Sequence, residues 1–313
     1  MSPPGGRPRA DHHHVVRIGH EEALLHCHAA AHGAVAEESL LPRMCYGGAG
    51  NRRRAALAGG RCNAGWLTGT MPHDARSWAT GSQRCDVRQL FPFPCDPVDP
   101  AVLYGDLPPA GPRPTVRLNM IASIDGATAV GGVSGGLGGP ADQAVFAALR
   151  SHADVVLVAA GTVRAEHYGP IGLPIAVVSR SCRLDWDWPL FTATNAQPIV
   201  VTVAEAPELE RKRAADLADV IIAGERDVDL ATAIDALAAR GLCRVLAEGG
   251  PSLNGQIAAA GLLDELCLTL SPLLAGGDAK RILAGPSLTA RSGWRLHSLC
   301  EQDGFLFLRY RPQ

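Results

Sequence analysis

Short apolar strand-like runs alternate with helical segments between residues 115 and 270, and this alternation constrains the fold more than any other feature. Strands are predicted over 115–121, 154–159, 175–179, 198–203, 219–223, 243–247 and 265–270. Helices are predicted over 140–152, 207–217, 229–240 and 251–260, with Asp229 capping the third of them. Repeated strand–helix–strand units indicate a parallel sheet, because each helix returns the chain to the starting edge of the sheet.

The C-terminal residues depart from this alternation. Residues 294–299 and 305–310 are two strand-like runs that flank Gln302-Asp303-Gly304, and Asp-Gly is a preferred hairpin turn. We therefore predict an α/β fold in which a mixed, mostly parallel sheet is flanked by helices and ends in an antiparallel hairpin.

The composition changes near residue 87. Residues 1–86 are rich in Arg, His, Gly and Ala, contain eight of the eleven histidines, and sustain no period of 2 or 3.6. We expect this segment to be a disordered leader, or upstream sequence included by a misplaced start codon. Residues 87–313 are expected to form the globular domain, with 87–114 as an ordered lead-in that lacks regular structure.

The charge and the cysteines narrow the possible environments. A net charge of −2 gives no field that favours nucleic acid, and the chain contains no apolar run long enough to span a membrane. We expect a cytoplasmic protein with neither nucleic acid nor membrane as a partner. The nine cysteines show no paired spacing, so they are interpreted as small core residues or free thiols.

The strongest local motif is Glu248-Gly249-Gly250-Pro251-Ser252-Leu253. It follows a predicted strand, its glycines permit close backbone approach, and Pro251 begins a helix whose free N–H groups suit a pyrophosphate. The alternative is a tight turn that needs glycine only for its backbone dihedral angles.

Other predicted strand ends carry similar chemistry. Gly161-Thr162 opens a helix with Glu166 one turn later, although Thr162 could simply cap that helix. Ser179 and Arg180 offer a hydroxyl and a guanidinium to the 2′-phosphate of NADP, although they could equally form a solvated loop. A glycine-rich segment, 131–139, could be a mobile active-site loop or a flexible hairpin tip.

Three motifs together resemble one known family. Ser123-x-Asp125-Gly126, Gly161-Thr162-Val163-Arg164-x-Glu166 and the 248–253 motif resemble the pyrimidine reductase domain of bifunctional riboflavin-biosynthesis enzymes, over about residues 115–310. The resemblance implies a dihydrofolate-reductase-like fold, NADPH as cofactor, a small-molecule substrate and a homodimer.

The resemblance also implies roles by position, with Glu248 as the catalytic candidate. The candidate cofactor-binding residues are Thr162, Glu166, Ser179, Arg180, Gly249, Gly250, Pro251, Ser252 and Leu253. The candidate substrate-binding residues are Ser123, Asp125, Ser134, Gly135, Arg150 and Glu248.

Two departures from the family pattern limit what carries over. The His-x-Glu and Pro-Cys-x-x-Cys motifs of the fused deaminase domain are missing, so neither deamination nor a catalytic zinc is expected. Many family members follow Glu166 with a proline, a threonine and an arginine, whereas this chain has His167-Tyr168-Gly169. The substrate phosphate is therefore held differently, or the substrate is another molecule.

In the predicted reaction, the ribosyl group of 5-amino-6-(5-phosphoribosylamino)uracil opens to its imine or aldehyde, and a hydride passes from C4 of NADPH to its C1′. With a proton from water or from Glu248, this gives the ribitylamino product. One alternative is a reductase of another acceptor such as dihydrofolate, which a carboxylate near the pteridine ring would support. The other alternative is a non-catalytic NADP(H)-binding protein.

Overall fold

The computed structural model describes residues 87–108, 111, 113–193, 196–285, 287–288 and 293–313. The strands are β1 (Val87–Phe91), β2 (Cys95–Val98), β3 (Thr115–Ser123), β4 (Val155–Ala159), β5 (Ile175–Val178), β6 (Ile199–Thr202), β7 (Asp219–Ile222), β8 (Arg244–Ala247), β9 (Glu265–Ser271), β10 (Trp294–Gln302) and β11 (Phe305–Pro312). The helices are α1 (Pro100–Gly105), α2 (Pro140–Ser151), α3 (Ala160–Glu166), α4 (Pro189–Thr192), α5 (Glu208–Leu217), α6 (Leu230–Ala238) and α7 (Pro251–Ala259). The interpretation of residues 1–86 as a leader lies outside the described residues.

The described strands form one sheet in the order β2-β1-β10-β11-β9-β3-β8-β4-β5-β6-β7. Every pairing from β9 through to β7 is parallel. Every pairing from β2 through to β9 is antiparallel. The predicted fold class, a mostly parallel α/β sheet with an antiparallel C-terminal hairpin, is confirmed.

Helices cover both faces of the parallel part of the sheet. Val156 and Val158 of β4 pack in one core cluster with α2 and α3, while Val155 and Leu157 pack in a second cluster with α6 and α7. A strand buried on both faces must be apolar at every position, which is why β4 has the sequence Val-Val-Leu-Val-Ala without polar alternation.

Two local predictions are confirmed at their turns and caps. The Asp229 carboxylate accepts hydrogen bonds from Ala231 N (3.0 Å) and Thr232 N (3.2 Å), so it caps α6. Asp303 and Gly304 both have positive φ angles, 53° and 82°, as the tight hairpin turn between β10 and β11 requires.

The expectation that residues 87–114 lack regular structure is wrong. They contain β1, β2 and α1, and β1 pairs with β10 more than 200 residues later in the chain. The signal was weak because Pro92, Pro94 and Pro97 interrupt the segment, and proline is tolerated in a sheet only at edges and strand ends. Within the described residues, no helix is long and apolar enough to cross a membrane.

Candidate active site

A cavity of about 700 Å³ opens at the carboxyl ends of β3, β8 and β4. Its walls come from residues 119–121 of β3, the glycine-rich 128–134 segment, α2, α3, the 248–251 turn and the 275–280 loop. In open α/β sheets, ligands bind outside the carboxyl ends of the strands, so this cavity is the candidate active site.

The 248–251 turn brings bare backbone to the cavity wall. Gly249 has a φ of 97°, a conformation that favours glycine, and its carbonyl accepts a hydrogen bond from Ala159 N (2.9 Å). A Cβ added to Gly250 would lie 2.8 Å from Thr162 Oγ1, so no side chain fits there without displacing Thr162. The positive φ explains the glycine at position 249, and the close approach of this turn to α3 explains the glycine at position 250.

Helix α7 begins where this turn ends. Pro251 occupies its first turn, and Asn254 N donates to Gly250 O (3.0 Å) as the first helical bond. The N–H groups of Ser252 and Leu253 precede that bond and so lie at the positive end of the helix. The Leu253 side chain is buried in the core, so only its backbone is available to a ligand.

Thr162 and Glu166 both line the cavity from α3. The residue at the cap position of α3 is Ala159, so the alternative that Thr162 caps this helix is wrong. Glu166 Oε1 accepts a hydrogen bond from Ser134 N (2.7 Å), which ties the glycine-rich segment to α3. Ser134 lines the cavity as well, whereas Gly135 lies outside the lining.

Glu248 lies in the cavity wall, but both of its oxygens are engaged. Arg150 donates to it through Nε (2.8 Å, to Oε1) and Nη2 (2.7 Å, to Oε2), and Tyr168 Oη donates to Oε2 (2.7 Å). Burial, followed by the adjacent Glu248 carboxylate, raises the pKa of Tyr168 well above its ordinary value, so this hydroxyl keeps its proton. The site therefore holds an ion pair with a fixed hydroxyl donor.

Arg150 belongs to this ion pair but does not itself line the cavity. Its guanidinium stacks 4.0 Å from the Phe146 ring centroid and borders a separate depression of about 460 Å³. In this arrangement Arg150 acts on the cavity by holding Glu248, and its predicted direct contact with substrate stays a prediction.

Ser123 and Asp125 fasten a loop instead of lining the cavity. Ser123 Oγ donates to Asp125 Oδ1 (2.5 Å), and the same carboxylate accepts from Ala275 N (3.0 Å) and Gly276 N (2.7 Å). These hydrogen bonds, with Ser123 the strongest, lower the pKa of Asp125 to about 2. Both residues thus position the 275–280 wall of the cavity, and their predicted contacts with substrate stay a prediction.

The remaining predicted cofactor residues lie outside the cavity lining. Ser179 is buried at the end of β5, and Arg180 is 69% exposed and paired with Asp227 (2.7 Å). Ser252 is exposed at the start of α7. Seven of the predicted residues line the cavity, and the others do not. The seven are Ser134, Thr162, Glu166, Glu248, Gly249, Gly250 and Pro251.

Sequence reasoning missed several residues that line the cavity, among them the ionisable side chains of Asp142, Tyr168 and Lys280. Asp142 lies in the first turn of α2, where an acidic residue is commonly explained by the helix dipole alone. Lys280 is one of only two lysines in the chain, a rarity that could have singled it out. Across the described residues, no group of three or more His, Cys, Asp or Glu could hold a metal ion.

Comparison with known proteins identifies the family. The family described as RibD C-terminal domain matches residues 114–304. The 2,5-diamino-6-ribosylamino-4(3H)-pyrimidinone 5′-phosphate reductase of Methanothermobacter thermautotrophicus is 32% identical over 190 residues, 56% of this chain and 86% of the relative. The riboflavin biosynthesis protein RibD of Bacillus amyloliquefaciens is 29% identical over 193 residues, 58% of this chain and half of that relative.

Solved structures agree with this assignment. A pyrimidine reductase-like protein from Corynebacterium diphtheriae superposes with a TM-score of 0.59 at 29% identity, covering 69% of this chain and 99% of that one. The riboflavin biosynthesis reductase of Saccharomyces cerevisiae, at 19% identity and a TM-score of 0.53, has the same fold over 68% of this chain and 99% of its own. The resemblance inferred from the sequence motifs is thus confirmed, and the chain belongs to the RibD C-terminal domain family.

Proposed function

We propose that this chain is an NADPH-dependent reductase that converts a ribosylaminopyrimidine 5′-phosphate into its ribitylamino product in riboflavin biosynthesis. The observation that carries the proposal is the Gly249-Gly250 turn at the start of α7, where no side chain separates the backbone from a cavity of ligand-binding size. The names of the relatives from Methanothermobacter thermautotrophicus and Archaeoglobus fulgidus support the same reaction.

The residues of the 248–253 turn fit a dinucleotide cofactor. A pyrophosphate would accept hydrogen bonds from the N–H groups at the start of α7 and would lie beside Thr162 Oγ1. Because Gly250 has no Cβ, its backbone does not block this approach. NADPH would supply a hydride from C4 of its nicotinamide ring, and the protein would align this donor with the acceptor carbon. Arg180 at the end of β5 remains our candidate for the 2′-phosphate.

The substrate phosphate needs a cation, and Lys280 is the basic residue among those lining the described cavity. It lies on the exposed 275–280 loop, and this loop is held in place by Asp125. We propose that Lys280 takes the part played by the arginine that many family members carry after Glu166. The Glu248 carboxylate would accept a hydrogen bond from substrate, while Arg150 and Tyr168 keep it in position.

A second candidate function is the reduction of dihydrofolate. A carboxylate in the cavity was the feature expected to support it, and Asp142 is such a carboxylate. The homodimer is proposed from the family resemblance, and the cytoplasmic location from the composition of the sequence. Light scattering of the purified chain tests the homodimer.

The test is loss of NADPH absorbance with three acceptors: the 2,5-diamino-pyrimidinone phosphate, the corresponding 5-amino-uracil phosphate, and dihydrofolate. We expect turnover with at least one pyrimidine and a lower rate with dihydrofolate. Turnover of dihydrofolate alone would establish the second candidate. NADPH binding without oxidation by any acceptor would leave a non-catalytic binding protein. Replacing NADPH by NADH in the same assay tests the cofactor preference.

A further inference from the structure

Asp142 lines the same cavity as the Gly249-Gly250 turn, but it comes from a different part of the sheet. It projects from α2, and its carboxylate is hydrogen-bonded by the side chain of Thr269, a buried residue of β9. The turn follows β8, and β3 lies between β8 and β9 in the sheet. Two strand spacings, about 10 Å, therefore separate the strand that leads to the turn from the strand that supports Asp142.

The Asp142 carboxylate is short of hydrogen-bond donors. None of the ion pairs found among the described residues includes it, unlike Glu248, which is neutralised by Arg150. Burial raises the pKa of Asp142, and the Thr269 hydroxyl only partly opposes this effect. A partly buried carboxylate in this condition gains most from a ligand that donates hydrogen bonds to it.

The charges on the walls determine which end of the substrate reaches Asp142. Glu166 and Glu248 also face the cavity, while Lys280 lies on the exposed loop at its edge. A phosphate would be repelled from the acidic wall and attracted to Lys280, so the uncharged pyrimidine ring points toward Asp142.

The two possible pyrimidines differ at the ring edge that a carboxylate can bind. A 2-amino-4-pyrimidinone presents two adjacent donors, the 2-amino group and the neighbouring ring N–H, which match the two oxygens of a carboxylate. A uracil presents a 2-carbonyl acceptor at the first of these positions, and that oxygen would face the carboxylate unpaired.

We propose that Asp142 binds the 2-amino and ring N–H edge of the pyrimidine and thereby selects the 2-amino substrate over the 2-oxo one. This inference rests on the proposed function for the identity of the ligand. It assigns specificity to a residue of α2 that lies outside the three family motifs.

The experiment uses two fragments that share the ring and differ at position 2, namely 2,6-diamino-4(3H)-pyrimidinone and 6-aminouracil. Their affinities for the full chain with NADPH bound are measured by ligand-observed NMR titration at about pH 8, above the ordinary carboxyl range. We expect the unmodified chain to prefer the diamino fragment. Asp142→Asn should weaken that fragment about ten- to a hundredfold and leave 6-aminouracil unchanged or improved, because an amide can donate to the 2-carbonyl.

Asp278→Asn is the matched control, because Asp278 is a carboxylate on the exposed loop of the same cavity and should not change the preference. NADPH affinity, measured in each variant, reports whether the fold and the cofactor site are intact. Equal affinity of the unmodified chain for both fragments, or an equal change for both in Asp142→Asn, would overturn the inference.

The fragment titration tests the role of Asp142 and the turnover assay tests the proposed function, so either hypothesis can be rejected without the other. If neither phosphorylated pyrimidine is reduced but the Asp142-dependent preference is found, the proposed function fails and the recognition role stands. If both pyrimidines are reduced equally well and no preference is found, the function stands and the role of Asp142 is rejected.

Discussion

Three hydrogen bonds converge on the buried carboxylate of Glu248, and they limit what this residue can do. The side chain is only 2% exposed, so its charge depends on the paired Arg150 guanidinium. A carboxylate held in this way is a hydrogen-bond acceptor with a fixed orientation. The Tyr168 hydroxyl supplies the third bond. Arg150 and Tyr168 therefore act by positioning the Glu248 carboxylate.

The Gly250 position gives the sharpest test of the proposed cofactor site. We expect Gly250→Val to weaken NADPH binding at least about tenfold, because a Cβ would lie 2.8 Å from Thr162 Oγ1 and fill the space beside the pyrophosphate. The turn is buried, so the substitution should also destabilise the fold by about 1–3 kcal/mol, more than a surface turn would suggest. NADPH fluorescence titration and thermal unfolding measure the two effects.

Two further variants separate the effects of Gly250. Gly169→Ala is the control, since no atom lies within 4 Å of its added Cβ and it lies outside the cavity lining. Gly250→Ala combined with Thr162→Ala removes the colliding oxygen and should recover stability relative to Gly250→Ala alone. Unchanged NADPH affinity in a folded Gly250→Val variant would reject the cofactor site.

The site residues found from the sequence belong to short continuous motifs, whereas those that were missed come from segments far apart in the chain. Gly249, Gly250 and Pro251 are adjacent in the chain, and their pattern indicates a turn into a helix wherever it occurs. Asp142 and Lys280 reach the same cavity from segments nearly 140 residues apart, and only the folded sheet brings them together. The pairing of Arg150 with Glu248 has the same non-local origin.

At the scale of elements, the same distinction holds. The sequence predicts the parallel strands and the helices between them other than α4, because apolar runs, caps and turn residues lie within each segment, as in α6 with its Asp229 cap. Strands β1 and β2 are not predicted, since β1 pairs with the remote strand β10, β2 pairs only with β1, and the side chains of both are mostly exposed. Exposed strands at or next to the edge of a sheet carry little hydrophobic pattern to detect.

The missed lead-in is expected to be essential for stability. Helix α1 offers Leu103 O to Arg309 Nη1 (2.7 Å) and Tyr104 O to Arg117 Nη1 (2.9 Å), and both guanidiniums are buried. A chain that begins at residue 107 would leave these donors unpaired and remove the buried Tyr104 ring. We expect this truncation to lower the melting temperature strongly or to abolish cooperative unfolding, as followed by circular dichroism.

A chain that begins at residue 87 is the control for that truncation. It keeps β1, β2 and α1 and every residue that lines the cavity, and we predict that it binds NADPH with the affinity of the full chain. Equal stability of the two truncated chains would show that the lead-in contributes little to the fold.

At the scale of the whole molecule, one buried charge cluster joins the parallel and antiparallel parts of the sheet. Glu265 of β9 is fully buried and pairs with Arg117 of β3 (2.5 Å), and with Arg309 (2.8 Å) and Arg311 (2.9 Å) of β11. β3 runs parallel to β9, whereas β11 runs antiparallel to it. A single carboxylate therefore binds guanidiniums from both sides of the strand where the sheet changes direction, and its removal leaves the buried Arg117 and Arg309 without their anionic partner.

Glu265→Gln should therefore lower the free energy of unfolding at neutral pH by about 3–5 kcal/mol. Burial raises the pKa of Glu265, but Arg117, Arg309 and Arg311 outweigh it and hold the pKa below its ordinary value of 4.5. A carboxyl whose pKa is lowered by folding stabilises the protein above its unfolded pKa and loses that contribution as the pH falls through the folded one. The stability difference between the two proteins, measured by urea unfolding, should be constant near neutral pH and shrink below about pH 4.5.

Glu205→Gln is the control for this variant, because it removes an exposed pair with Arg226 and should cost less than about 1 kcal/mol at any pH. A similar loss in both variants would mean that burial of the Glu265 cluster contributes nothing beyond an ordinary surface pair.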